Sequence, residues 1–170
     1  MLKPAEIRRV ITAANEDLRR DPDRLLVFLD EGRVVCRGGR NLSYEYQYTL
    51  NIIVTDYPHH ADRIILPVLA WLRRHQPDLF ENFDKSNEAI RFQVELLNQQ
   101  TADISLEIDL SERVIVTQAG DRLIAQHQIA DEHPDLPREM IQVEVINRKT
   151  NETLGTYCVE AWNPTQFGYE

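Results

Sequence analysis

The sequence predicts an α+β fold in which an antiparallel or mixed β-sheet is covered by two α-helices and followed by a C-terminal β-hairpin. Apolar residues recur at helical spacing in two segments of the first 75 residues, and elsewhere they alternate with polar residues. Spacings of three and four residues are typical of a helix with one buried face, and a spacing of two is typical of a half-buried strand. A chain of 170 residues is long enough to form such a domain around a real hydrophobic core.

The first helix is predicted from Pro4 to about residue 20. Proline is tolerated in a first turn, and Asp21–Pro22 ends the helix because a residue before proline disfavours the helical conformation. One apolar stripe runs along this helix and consists of Ile7, Val10, Ile11, Ala14 and Leu18. Four arginines fall off the stripe, namely Arg8, Arg9, Arg19 and Arg20.

A hairpin and a long strand are predicted next. Short apolar runs at residues 25–29 and 33–36 flank Asp30–Glu31–Gly32, which is typical of a turn. A loop follows at residues 37–40. Alternation then predicts a strand from Leu42 to Tyr57, one face of which carries Tyr44, Tyr46, Tyr48, Leu50, Ile52 and Val54. A strand this long usually bends or projects beyond its own domain.

The second helix is predicted over residues 61–75. Asp62 suits its first turn, and Pro67 predicts a kink because proline removes a backbone donor. Its apolar face comprises Ile64, Ile65, Val68, Leu69 and Leu72. Gln76–Pro77–Asp78 ends it, and a polar loop is predicted over residues 79–88.

The rest of the chain is strand-like. Alternation predicts strands at residues 90–96 and 104–110, further short strands on either side of a turn at Ala119–Gly120–Asp121, and a hairpin over residues 141–161. A proline-containing linker at residues 133–137 precedes that hairpin. We expect residues 1–132 to form the α+β domain and residues 133–170 to form a linker and a hairpin extension of that domain.

Charge and composition narrow the range of functions. The net charge is −9, with +2 in residues 1–40 and −11 in residues 41–170, which argues against tight or sequence-specific nucleic-acid binding. The longest strongly apolar run has nine residues, and a membrane helix needs about 20. Cys36 and Cys158 are too few for a disulfide scaffold, so we expect unpaired, buried thiols and a reducing compartment.

No catalytic constellation is found in the sequence. It lacks a phosphate-binding glycine loop and a Gly-x-Ser-x-Gly elbow. The best metal candidates are Asp56, His59, His60 and Asp62, which would fit a small metal-dependent hydrolase. Acidic residues at a strand-to-helix turn also favour a helix start, and adjacent histidines usually point in different directions. We therefore predict no metal, no cofactor and no enzymatic activity, and keep the hydrolase as the alternative from another class.

Three further groups of side chains are candidates for a functional role. One is the acidic run Asp103, Glu107, Asp109 and Glu112, in which residues 103, 107 and 109 share the face opposite the apolar residues 104, 106 and 108. A solvated outer face of the strand is the expected place for this run. Three tyrosines on one strand face, Tyr44, Tyr46 and Tyr48, are either core residues or part of a subunit interface, where tyrosine is enriched. The charge split between the two parts of the chain also makes the four arginines of the first helix, Arg8, Arg9, Arg19 and Arg20, candidate interface residues.

Several segments resemble the tail completion protein R family of peduovirus-type contractile-tailed phages. The resemblance runs from Met1 to about Asp78 and is dense at residues 48–56, 67–73 and 76–78. It is weaker as far as about residue 130, where Asp103–Ile104–Ser105 and Glu112–Arg113 fit. The C-terminal hairpin departs from the family in length and sequence.

The resemblance implies a structural virion protein that completes the phage tail at its head-proximal end and prepares it for head joining. Such proteins are similar to tail terminators, so we expect a ring, most simply a hexamer. The expected partners are other copies of the chain, the tail tube, the sheath and the neck or head completion proteins. Genome DNA would pass through the ring. The expected location is the virion tail, after assembly in the host cytoplasm. A neck adaptor or tail tube subunit is the alternative within this class.

Overall fold

The computed structural model describes residues 1–39, 41–81, 87–96, 101–128 and 140–160. It is an α+β structure, as predicted, with one five-stranded antiparallel sheet, one separate hairpin and helices between them. The helices are α1 (Lys3–Ala14), α2 (Glu16–Arg20), α3 (Asp62–His75) and α4 (Asp78–Glu81), with a 3₁₀ turn at Pro22–Arg24. The strands are β1 (Leu25–Val35), β2 (Tyr44–Tyr57), β3 (Ile90–Leu96), β4 (Ala102–Ala119), β5 (Arg122–Gln128), β6 (Met140–Ile146) and β7 (Thr153–Glu160).

Strand β4 is the central element of the sheet. The strand order is β1-β2-β4-β3, and β5 pairs with the second half of β4 on the same side as β3. The sequence pattern predicts two separate strands here, but β4 is one strand of 18 residues. At about 3.3 Å per residue it spans roughly 60 Å, so the sheet is much longer than the helices that cover it.

The predicted first hairpin is wrong. Residues 25–35 form one strand, and the supposed turn is a β-bulge in which residues 31 and 32 both lie opposite Tyr48. Glu31 has a φ of 47°, a left-handed conformation that absorbs the extra residue. Because β2 is long enough to pair with both halves of β1, the strand continues past the bulge instead of reversing.

The first helix is interrupted. Asn15 has an extended conformation, with φ −129° and ψ 100°, and divides the predicted helix into α1 and α2. Its buried side chain donates to the carbonyl oxygens of Ile11 and Arg63 at 2.9 and 3.1 Å, and it accepts a hydrogen bond from the Tyr57 hydroxyl. These bonds satisfy polar groups that the break would otherwise leave unpaired inside the protein.

The core lies between the sheet and the helices α1 and α3. The predicted stripe of the first helix is buried, and it packs with Val68 and Leu72 of α3 and with the even-numbered side of β2 from residue 48. Trp71, rather than the predicted Leu69, completes the α3 face. Pro67 lies inside α3 and is buried. A short helix, α4, begins where a loop is predicted.

The C-terminal hairpin is present, as predicted, and it forms a further layer over the helices. Strand β7 packs against α3 and α1, and Tyr157 and Val159 are buried there. The Tyr157 hydroxyl donates to the Asp62 carbonyl oxygen at 2.9 Å, and burial raises the pKa of this phenol to about 12. No residue of α3 is exposed as a result. The predicted linker at residues 133–137 lies outside the described residues, so the proposed domain division stays a prediction.

Candidate assembly surface

The three tyrosines of β2 have different environments. Tyr48 is buried, and its hydroxyl donates to Glu112 Oε1 at 2.5 Å. Burial and this hydrogen bond raise the pKa of Tyr48 far above its usual value. Tyr44 and Tyr46 are half-buried, with their hydroxyls 3.1 Å apart and their rings edge to face. Tyr48 is therefore a core residue, and only Tyr44 and Tyr46 are accessible to a partner.

Glu112 is a buried anchor that the sequence analysis misplaced. Its carboxylate accepts hydrogen bonds from the Leu2 and Lys3 amides at 2.8 and 3.2 Å, in addition to the Tyr48 hydroxyl. The negative charge lies at the start of α1, where the helix dipole favours it. Glu112 shares its strand face with Ile108 and Leu110, not with the outer acidic residues. The parity of its position along β4 was the signal that could have identified it.

The outer face of the sheet carries the other acidic residues, as predicted. Arg91 binds Glu107 and Asp109 at 3.1 Å, and Thr49 donates to Asp109 at 2.8 Å. Burial raises the pKa of Asp109, but the hydrogen bonds from Arg91 and Thr49 outweigh it, and the pKa is lower than usual. Asp103 accepts a hydrogen bond from the Asp56 amide. These contacts connect β2, β3 and β4 across the outer face.

The four arginines of the first two helices have partners within the chain. Arg8 donates to the Leu25 carbonyl oxygen at 2.5 Å and so connects α1 with β1. Arg9 pairs with Glu6, while Arg19 and Arg20 share Glu16. Exposed pairs of this kind contribute little to stability and are easily exchanged for pairs with a partner protein. The interface role of these arginines stays a prediction.

The residues of the candidate metal site contact different partners. His59 contacts Asp17 at 2.5 Å, His60 contacts Asp62 at 3.1 Å, and Asp56 lies in a bulge at the end of β2 with a φ of 52°. Among the residues that the structure describes, no group of three or more His, Cys, Asp or Glu is arranged to hold a metal ion. The hydrolase alternative therefore has no geometric support.

Both cysteines are free, but the prediction that they are buried is wrong. Cys36 follows β1, and its thiol is 3.6 Å from the Ser43 carbonyl oxygen. Cys158 lies on β7 between the buried residues Tyr157 and Val159, so its side chain points to the other face of the hairpin. Both are exposed: Cys158 because it alternates with buried residues of β7, and Cys36 because it lies beyond the end of β1, outside the core. In the described part of the chain, no helix is long and apolar enough to cross a membrane.

The sheet extends beyond the core. The hydrophobic cluster ends at Tyr48 on β2 and Leu110 on β4, although β4 continues for nine more residues. We call this extension the arm; it comprises residues 33–35, 44–47, 111–119 and 122–128. Tyr46 stacks on His127 of β5 there, with ring centroids 6.3 Å apart.

Two groups of exposed or half-exposed apolar and aromatic side chains lie on the helix side of the sheet. The first, the edge patch, consists of Phe92, Val94 and Leu96 on the edge strand β3. The second, the arm face, consists of Val34, Tyr44, Tyr46 and Leu123. Of these residues only Tyr44 and Tyr46 were singled out from the sequence, because alternation alone does not show which strands lack a covering layer.

Comparison with known proteins assigns the family. A model of the P2 phage tail completion protein R (GpR) family matches residues 1–133. Tail completion protein R of Escherichia phage P2 is 39% identical over 123 residues, covering 72% of this chain and 79% of that protein. No solved structure matches. The matched region contains α1 to α4 and β1 to β5, and the chain belongs to the tail completion protein R family of structural phage tail proteins.

Proposed function

We propose that this protein is a non-enzymatic subunit of a ring that completes the head-proximal end of the phage tail and prepares it for head joining. The observation that carries the proposal is the family match, because residues 1–133 include the whole large sheet and the helices that cover it. The phage P2 relative is named for tail completion, which requires contact with other tail components.

The shape of the sheet supports a ring. The arm face and the edge patch lie at different ends of β4, so one subunit offers two separate surfaces to two neighbours. An interface between two different surfaces generates a closed ring when the rotation between copies closes. We propose a hexamer that contacts the tail tube, the sheath and the neck or head completion proteins. It assembles in the host cytoplasm, and genome DNA passes through it.

Labelled tails provide the test. A phage that lacks this gene is complemented with the protein carrying a C-terminal epitope, and purified tails are examined by electron microscopy with antibody-gold. We expect label at the head-proximal end alone, and unjoined heads and tails when the protein is withheld. Label along the tube would identify a tube subunit, and label at the distal end would contradict the proposal.

A further inference from the structure

We propose that the arm face of one copy binds the edge patch of the next, so that these two surfaces form the subunit contact of the ring. This inference rests on the proposed ring and names the surfaces that build it. The occupant of each surface is therefore a second copy of this chain.

The edge patch is an unusual surface for a protein that acts alone. Phe92 and Leu96 are 63% and 78% exposed, although they alternate like core residues. They lie on β3, which pairs only with β4, so the outer backbone groups of β3 have no strand partner within the described sheet. Exposed apolar edge strands promote pairing with other chains, and isolated proteins usually protect them.

The arm face has the matching character. Val34 and Leu123 are 61% and 63% exposed and lie on the same side of the sheet as Tyr44 and Tyr46. Val34 pairs with Tyr46, and Leu123 lies further along the arm, opposite Gln118 of β4. Tyrosine combines a large apolar ring with a hydroxyl and is enriched in protein–protein interfaces. The Tyr46 ring contacts the Tyr44 ring edge to face and stacks on His127, so little side-chain entropy is lost when a partner binds.

The charges on the outer face of the sheet differ in sign between its two ends. On the face opposite the edge patch, Glu95 and Asp103 accompany a single arginine of β3, Arg91, which already binds two further carboxylates. The arm carries three exposed arginines, Arg33, Arg113 and Arg122, and one accessible acidic residue, Glu45, also on the outer face. Among the described residues, no carboxylate lies within salt-bridge distance of these three arginines. Opposite charge steers the association of an arm with an edge in preference to that of two like ends.

The two surfaces are too far apart to form one interface. Phe92 pairs with Leu106 and Leu123 pairs with Gln118, and these partners are 12 residues apart on β4. That separation corresponds to about 40 Å along an extended strand. One neighbour therefore contacts the arm face and another contacts the edge patch.

Two charged variants test the pairing. Leu123→Glu introduces a negative charge on the arm face, and Phe92→Lys introduces a positive charge on the edge patch. The matched controls are Ile124→Glu and Gln93→Lys, which place the same charges on the opposite face of the same strands. Circular dichroism and thermal unfolding verify that each variant is folded. If Leu123→Glu does not fold, Leu123→Ser takes its place.

Analytical ultracentrifugation measures the outcome. We expect the wild type and both controls to form rings, and each patch variant alone to be monomeric. An equimolar mixture of the two patch variants should form a dimer that does not grow, because only one intact surface of each kind remains. A patch variant that still assembles, or a mixture that stays monomeric, overturns the pairing.

The oligomeric state of the wild-type protein distinguishes a failure of this inference from a failure of the proposed function. Wild-type rings together with patch variants that assemble normally would overturn the pairing and leave the ring standing. A wild-type chain that remains monomeric at its highest soluble concentration overturns the pairing as well. Only the labelling of tails decides the proposed function itself, because it reports the position of the protein and not its contacts.

Discussion

Different parts of the large sheet have the same sequence pattern and opposite environments. In the covered half, Leu106 and Ile108 of β4 are buried beneath α1 and α3. In the arm and on the edge strand, Leu123 and Phe92 alternate in the same way and are exposed. The difference shows that period-two alternation marks the helix side of a strand but not the presence of a covering layer. In the covered half that side provides stability, and in the exposed regions it is available for assembly.

Truncating one apolar side chain in the core and one in the arm should give the largest difference in stability. Leu72→Ala removes a fully buried side chain of α3, and we expect it to lower the free energy of unfolding by about 2–5 kcal/mol. The matched change in the arm, Leu123→Ala, should alter it by less than about 0.5 kcal/mol. Urea unfolding of both variants measures this contrast. Equal losses would mean that the arm is part of the core.

The buried anchor at Glu112 should produce the next largest effect. Glu112→Gln replaces a charged acceptor of three hydrogen bonds, and we expect a loss of about 1–3 kcal/mol in the free energy of unfolding. Glu107→Gln, on the outer face of the same strand, is the control and should cost less than about 1 kcal/mol. Thermal unfolding compares the two variants. If Glu112→Gln is as stable as the wild type, α1 does not depend on this contact.

The first helix and the first strand show how far the sequence predicts this fold. The stripe from Ile7 to Leu18 identifies the buried face of the first helix, yet it does not reveal the break at Asn15. That break depends on the hydroxyl of Tyr57 and the carbonyl of Arg63, both more than 40 residues away. Likewise, Asp30–Glu31–Gly32 has turn chemistry, but the length of β2 decides that it forms a bulge. Long-range partners override local preference in both cases.

The candidate site is less predictable than the fold. Tyr44 and Tyr46 were identified as interface candidates from their residue type and spacing, whereas the edge patch became visible only when β3 was found at the edge of the sheet. The order of strands is not encoded in the alternation of any one of them. The arginines Arg9, Arg19 and Arg20 were named for their charge, and the structure pairs each with a nearby glutamate.

Removing one tyrosine hydroxyl in the core and one on the arm face should give a smaller difference in stability. Tyr57→Phe removes a buried hydroxyl that donates to Asn15, and we expect a loss of about 1 kcal/mol in the free energy of unfolding. Tyr44→Phe removes a half-exposed hydroxyl of the arm face and should change that free energy by a few tenths of a kcal/mol at most. Denaturant unfolding resolves the difference, and the reverse order would contradict the assignment of Tyr57 to the core.

The smallest effect concerns the pH dependence of Asp109. Its pKa is lowered in the folded protein, so its contribution to stability is present above the unfolded-state pKa and is lost as pH falls through the folded-state pKa. The side chain is 48% exposed, so we expect the wild type to exceed Asp109→Asn by less than about 1 kcal/mol at pH 7. The difference should shrink below about pH 4. A difference that grows on acidification would show that the pKa is raised.

The central claim is that the arm face serves assembly and not stability, and phage complementation tests it most directly. Cells that carry a phage lacking this gene are supplied with Leu123→Glu or with its control Ile124→Glu, and infectious particles are counted. We predict that Leu123→Glu, with the thermal stability of the wild type, leaves tails unjoined to heads, while Ile124→Glu restores the normal yield. A normal yield from Leu123→Glu would contradict the account.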